Sequence, residues 1–402
     1  MRALAIAPFR RLWLGQATSQ VGNRIHQLGV AWWVLKETGS PALMGLMFVA
    51  GSLPMVLGGP FGGVLADRFD RRRVMLVCDA ASAVLVSLLA VMATKGFLAI
   101  PLLLVLQVAL ATLSALFTPA SLAVIPDLVP ESALIEANSL QELTTQLAGL
   151  AGPALGGILT AVLGPAGAFW VNAGTFVVSS LALASLPAGS PPTASGESFW
   201  QSFWGGFQVL RERPAISSLL ASFAVANVFL APVPVLLPLF AKDVFARGAW
   251  GLGALEGALG AGMMGAAFWM ARVGTVSRPV SLAAGSFAIQ GWLMLLMGLV
   301  PRFEGYLLGL MGLGAALSAL NVVMVSAFQR AIPPEQLGRF MGVLTTVVMG
   351  VMPLSFGLVG VMASWIPPTR IFDASGTMLI AVSLLLPLLP GVRGLQAELS
   401  AS

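Results

Sequence analysis

Apolar runs of about twenty residues recur from one end of this 402-residue chain to the other. An α-helix rises 1.5 Å per residue, so a run of about 20 residues crosses the roughly 30 Å hydrocarbon layer of a bilayer. Only helices and closed barrels satisfy their backbone polar groups there. Membrane strands need polar and apolar residues in alternation, whereas these runs are continuously apolar, so they select helices. Hydrophobic residues make up 57% of the chain, above the roughly 45–50% of soluble domains, and mean hydropathy is +0.92. An all-α integral membrane protein is the expectation.

Glycine, proline and charge punctuate the chain into twelve segments, roughly 12–35, 41–66, 74–94, 99–125, 135–163, 166–187, 214–241, 249–271, 279–300, 304–329, 339–364 and 370–390. The least apolar interruption, Pro187 to Gly206, reads as a flexible linker. After it, Phe199 to Arg213 mixes aromatics with Arg211, Glu212 and Arg213, which suits a helix lying in the membrane interface. The expected organisation is a six-helix half over 1–187, a linker with its interfacial helix over 188–213, and a second six-helix half over 214–402. A weak repeat supports it: Ile125-Pro126-Asp127 precedes segment five, and Ile332-Pro333-Pro334-Glu335 precedes segment eleven.

Orientation follows from the distribution of Lys and Arg. A cytoplasmic N-terminus puts fourteen basic residues on the cytoplasmic side and six outside, with Arg24 left inside the first segment. Both termini are therefore expected in the cytoplasm. No cleavable leader is evident, because the first apolar segment continues past any plausible cleavage point. The net charge is only +5 and the basic residues sit in short loops, so topology explains them better than nucleic acid does. One cysteine, Cys78, and one histidine, His26, give no disulfide, no His/Cys metal cluster and no expectation of a metal or cofactor. The same scarcity leaves an intramembrane enzyme without a nucleophile–base pair or metal ligands.

The densest cluster of charge is Asp67-Arg68-Phe69-Asp70-Arg71-Arg72-Arg73, between segments two and three. Segment five carries Gly149-Leu150-Ala151-Gly152-Pro153-Ala154-Leu155-Gly156-Gly157. Small residues four apart let helices approach closely, and Pro153 removes a backbone donor. Segment one has a polar stripe, Gln16, Gln20, Asn23 and Gln27, spaced to fall on one helix face. Such a face belongs against water or another helix rather than lipid. Arg24 is the deepest positive charge, and intramembrane charges are candidates for function. Three acids lie inside segments: Asp79 in three, Glu142 in five and Glu256 in eight. An acid that meets water only when a path opens is what proton coupling requires. Glu256 and Glu142 rank first, then Asp79, which could instead pair with the nearby arginines; His26 is a further candidate. Gln107, Asn227 and Asn321 complete the polar groups expected along a cavity, with Trp32, Phe117 and Phe229 as apolar wall.

The charged loop resembles the G-x-L-A-D-R-x-G-R-R loop of the major facilitator superfamily, with Asp70 where that family usually has glycine. The resemblance implies that Asp67, with Arg68, Arg71 and Arg339, acts as a latch between the halves. There a carboxylate meets the start of segment eleven, favoured by the helix dipole. Gly152, Pro153, Gly156 and Gly157 resemble the antiporter motif G-x-x-x-G-P-x-x-G-G, with Ala148 at its first glycine, which implies export by antiport. Phe9-Arg10-Arg11-Leu12-Trp13-Leu14-Gly15-Gln16 is similar to the branch of macrolide efflux proteins and enterobactin-type siderophore exporters, where the Asn23 position is often acidic. The arginine that many superfamily proton antiporters carry in segment four is replaced here by an apolar stretch with Gln107.

What the resemblance implies is a multi-pass transporter of the bacterial cytoplasmic membrane, working as a monomer by alternating access. Its expected partners are the lipid bilayer, a hydrophobic or amphipathic small molecule and the protons exchanged for it. Transport of a lipid-like substrate such as a lysophospholipid, or proton-coupled uptake, are the alternative expectations.

Overall fold

The computed structural model describes residues 2–187, 208, 210, 211, 213–273 and 278–392. Among them the ordered elements are helical and no strand is present. After a short α1 (Arg2–Ala5) come the long helices α2 (Ala7–Thr38), α3 (Pro41–Arg68), α4 (Arg71–Lys95) and α5 (Ile100–Ala123). A four-residue α6 (Ile125–Leu128) leads into α7 (Glu131–Ala184). The second half of the sequence supplies α8 (Pro214–Leu230), α9 (Pro232–Leu239), a π-helical turn Phe240–Val244, and α10 (Gly248–Val273). It ends with α11 (Pro279–Leu299), α12 (Phe303–Ala331), α13 (Pro334–Met362) and α14 (Pro368–Leu385). Nine helices among the described residues are long and apolar enough to cross a membrane.

Two expected segments, 135–163 and 166–187, lie in the single run α7. The run reverses at Gly164, whose φ of 72° and ψ of 173° is backbone that a side chain strains, and Pro165 follows. Segment seven is likewise divided: α8 stops at Leu230, and Pro232, Pro234 and Pro238 punctuate the chain as far as the π-turn. The linker and most of the expected interfacial helix lie outside the described residues.

The chain forms two compact units: one of Met1–Gly196 with Arg247–Ala254, the other of Glu197–Ala246 with Leu255–Ser402. In the first, α2 packs along the second half of α7 through three glycines seven residues apart. A Cβ on Gly15 would stand 2.8 Å from the Ala182 Cβ, one on Gly22 2.6 Å from Asn172 Oδ1, and one on Gly29 3.1 Å from the Ala168 Cβ. Seven residues are two helical turns, so the three glycines form one seam along which the backbones close. In the second unit α11 and α14 meet in the same manner, a Cβ on Gly291 falling 2.6 Å from the Gly376 carbonyl oxygen.

The charged loop is held by its own chemistry. Asp70 caps α4, its carboxylate accepting from the Arg72 N–H at 3.0 Å. The residue that departs from the family's glycine thus has a local structural role. Arg71 donates to both oxygens of Asp127 (2.9 and 3.1 Å) and to the Ala123 carbonyl (2.9 Å). Arg72 donates to the Leu183 carbonyl at 2.8 Å and also to that of Ala184, while Arg11 reaches Ser185 O at 3.3 Å. These arginines satisfy carbonyls that the C-terminal turns of α5 and α7 leave open.

Candidate functional site

The polar side chains of the first unit gather around α2. Gln141 of α7 donates to Gln16 Oε1, and Gln16 Nε2 stays buried without a partner among the described residues. Trp13 Nε1 donates to Thr144 Oγ1 at 2.8 Å and joins the same two helices one turn earlier. His26, buried against the Phe169 ring with centroids 5.3 Å apart, hydrogen-bonds through Nε2 to Gln107 Oε1 on α5 at 3.0 Å. The amide oxygen can only accept, so Nε2 is the donor in this contact, and Nδ1 is buried without a partner among the described residues. Gln20 and Asn23 are half-buried; Arg24 and Gln27 are exposed, and Arg24 donates to Gln27 Oε1 at 3.2 Å.

The four small-residue motif positions are buried and split between two neighbours. Gly152 lies under the Cβ and Cγ of Arg24, and a Cβ on Gly156 would be 3.1 Å from the Ile25 Cα. One turn of this face therefore seats the α2 backbone and the other the arginine stem. Gly157 faces the opposite way: its missing Cβ would fall 2.6 Å from the Gly253 Cα and 2.9 Å from the Ala249 carbonyl, in the turns of α10 that belong to this unit. Pro153 leaves its carbonyl 2.9 Å from the Cβ position of Gly253. Two helices thus approach one helix at backbone distance.

Asp79 on α4 is only 3% exposed. It faces the Ser179 hydroxyl of α7, itself fully buried, and its Oδ2 has no hydrogen-bond partner among the described residues. Among the described side chains no arginine pairs with it. Arg71 is on Asp127, Arg72 and Arg11 are on carbonyls, and Arg73 Nε lies 3.6 Å from Asp70. Glu142 is exposed and accepts from Gln146 at 2.8 Å, one turn on. Glu256 is half-buried on α10.

The remaining candidates do not join this group. Asn227 donates to Phe223 O of its own helix at 2.8 Å, and Asn321 is exposed on α12. The side chains of Asp67, Arg68 and Arg339 lie outside the described ones. Sequence reading missed Asn172, buried with Nδ2 unpartnered among the described residues and Oδ1 accepting from Thr175. It missed Gln290 of α11, fully buried with neither amide atom partnered there. It also missed Tyr306 and Asp373, near each other in the second unit beside Phe240 and Phe372. In sequence all four stand alone within apolar helices, without the spacing that made the α2 stripe visible.

Comparison with known proteins fits this architecture. The family model of the transmembrane secretion effectors, a major facilitator group, matches residues 2–401. Macrolide efflux protein A of Streptococcus pyogenes is 25% identical over 97% of this chain and 98% of its own. The multidrug efflux pump Tap of Mycolicibacterium fortuitum is 28% identical over 92% and 91%. The enterobactin exporter EntS of Shigella boydii is 29% identical over 94% and 90%. Among solved structures, the nucleoside transporter NupG superposes with a TM-score of 0.73 at 11% identity, covering 96% of this chain and 98% of that one. A bacterial homologue of the iron transporter ferroportin, in its inward-facing state, gives 0.69 at 18% over 98% and 99%. Those two likenesses speak for the fold alone. The chain is a multi-pass membrane transporter that belongs to the transmembrane secretion effector family of the major facilitator superfamily.

Proposed function

We propose that this protein exports a hydrophobic or amphipathic small molecule by alternating access, in exchange for protons, and that Asp79 carries the proton. The observation behind the assignment is the isolation of Asp79: a carboxyl inside a membrane helix, shut from water, facing a serine hydroxyl, with Arg11, Arg71, Arg72 and Arg73 engaged elsewhere. The facing second half of α7 and the whole of α5 carry no ionisable residue; Cys78 is its one titratable neighbour on α4 within a turn. Such a group can load a proton when one side opens to water and release it to the other. Export rather than uptake is supported by the efflux and export activities of the relatives and by the packing of Gly152, Gly156 and Gly157.

The order of candidate carriers changes accordingly: Asp79 first, then Glu256, with His26 as a relay through Gln107 and Glu142 last, because its carboxylate is exposed and bonded to Gln146. The same reading counts α7 as two crossings and adds α2 and α10 to the apolar helices, giving twelve. It places both termini in the cytoplasm of a bacterial cell and the protein in the cytoplasmic membrane as a monomer, and it assigns no enzymatic step. Asp67, with Arg68 and Arg339, keeps the latch role, whereas Arg71 serves inside the first unit.

The experiment is proton flux in proteoliposomes holding a pH-sensitive dye, with amphipathic drugs added outside. Drug-dependent proton movement is expected for the wild type and for Glu142→Gln, and not for Asp79→Asn. Movement that persists in Asp79→Asn moves the carrier elsewhere. Passage of a labelled drug with no proton movement in any form of the protein removes proton antiport.

A further inference from the structure

Arg24 is a cation at the middle of a 32-residue helix, about 25 Å from its start. The structure gives it no acid: among the described residues its hydrogen bond is to the neutral amide of Gln27, at 3.2 Å, and no carboxylate lies within ion-pair distance. A guanidinium has five N–H donors, so most of its donating capacity is unspent. The group is nonetheless held in place. Its Cβ and Cγ occupy the notch where Gly152 lacks a side chain, and Gly156 one turn on lets the α2 backbone close against α7. Arg24 is exposed on the polar side of α2, among Gln20, Asn23 and Gln27, and away from the glycine seam that meets α7 at Asn172 and Thr175. At that depth a charged head facing lipid is costly, so this side faces a path open to water. The arrangement is a fixed fork of donors with amide groups on either side and no counter-ion among the described residues.

We propose that the exported molecule is an amphiphile with an anionic head, a carboxylate, sulfonate or phosphate, and that the Arg24 guanidinium binds that head directly. The planar fork matches two oxygens of such a group, and the pairing strengthens as the bound molecule displaces water. Gln27, bonded to Arg24 on one side, holds the fork in register. The inference rests on the export reading, but its test separates the two.

Purified full-length protein is titrated with three pyrene probes of equal tail: pyrenebutyrate, the neutral alcohol, and the trimethylammonium analogue. Fluorescence reports binding, and the same probes are followed for efflux from proteoliposomes. The anionic probe is expected to bind at least about tenfold tighter than the alcohol, and the cation weakest. Arg24→Gln keeps the stem over Gly152 and should bring the carboxylate and the alcohol within about twofold of each other without changing binding of the alcohol. Arg24→Lys should retain part of the preference, since it keeps the charge and loses the fork. Equal binding of the three probes by the wild type, or a carboxylate preference that survives in Arg24→Gln, overturns the proposal. Equal efflux of all three overturns it too and leaves export standing. A carboxylate preference lost in Arg24→Gln, with no efflux of any probe, supports the anion site and removes the export reading instead.

Discussion

At the scale of single residues, the arginines after Asp67 show why a charge run cannot be interpreted from its own neighbours. Arg71, Arg72 and Arg73 are adjacent in sequence and do three different things. Arg71 joins Asp127 and the end of α5, Arg72 closes the end of α7, and Arg73 is 80% exposed. The carbonyls that take Arg71 and Arg72 lie 52 and 111 residues away, and a carbonyl leaves no mark in a sequence. For the same reason the isolation of Asp79 was invisible, although its position inside a helix was plain. Arg71→Ala is expected to lower unfolding stability in detergent by about 1–2 kcal/mol, discounted for the half-exposed Asp127. Arg73→Ala should leave it unchanged. A thermal melt of both variants checks this, and equal losses would show that the Arg71 contacts to Asp127 and Ala123 add no stability.

At the scale of helices, the sequence was most legible where small residues repeat. Gly152, Gly156 and Gly157, singled out in the sequence, mark the faces of α7 that meet α2 and α10, whereas the seam of Gly15, Gly22 and Gly29 on α2 went unread. The number of long runs was legible too, because bilayer thickness fixes their length. Helix ends were read to within a few residues, α4 starting at Arg71 rather than 74 because Asp70 provides the cap. What spacing could not give was which helix each face touches. The motif glycines make a graded test. Gly157→Ala puts a methyl 2.6 Å from the Gly253 backbone, which cannot rotate away, and should cost about 1–3 kcal/mol and impair transport. Gly149→Ala, two turns earlier, has nothing within 4 Å and should behave as wild type. Equal tolerance of both by melting and efflux assays would mean that α7 and α10 do not approach at backbone distance.

For the whole molecule, membrane residence, the helical fold and the transporter family all follow from features spread over the chain, which is why they could be read early. The substrate and the coupling residue depend on a few side chains whose surroundings only the fold creates. Asp79 and Arg24 are the two on which the proposal turns, among the described residues one an acid without a cation and the other a cation without an acid, in the same unit. On the reading proposed above each has its own role, Asp79 for the driving proton and Arg24 for the cargo. The two roles predict different defects. Loss of the proton site should uncouple transport without abolishing passage, because the substrate site and the moving parts remain.

The decisive measurement is therefore uptake of pyrenebutyrate by inside-out vesicles under an imposed pH gradient, set beside exchange of the same probe across vesicles with no gradient. Wild type is expected to accumulate the probe and to exchange it; Asp79→Asn should exchange it at a comparable rate and fail to accumulate it. Accumulation by Asp79→Asn equal to wild type would contradict the account, because the proton would then be travelling by another route.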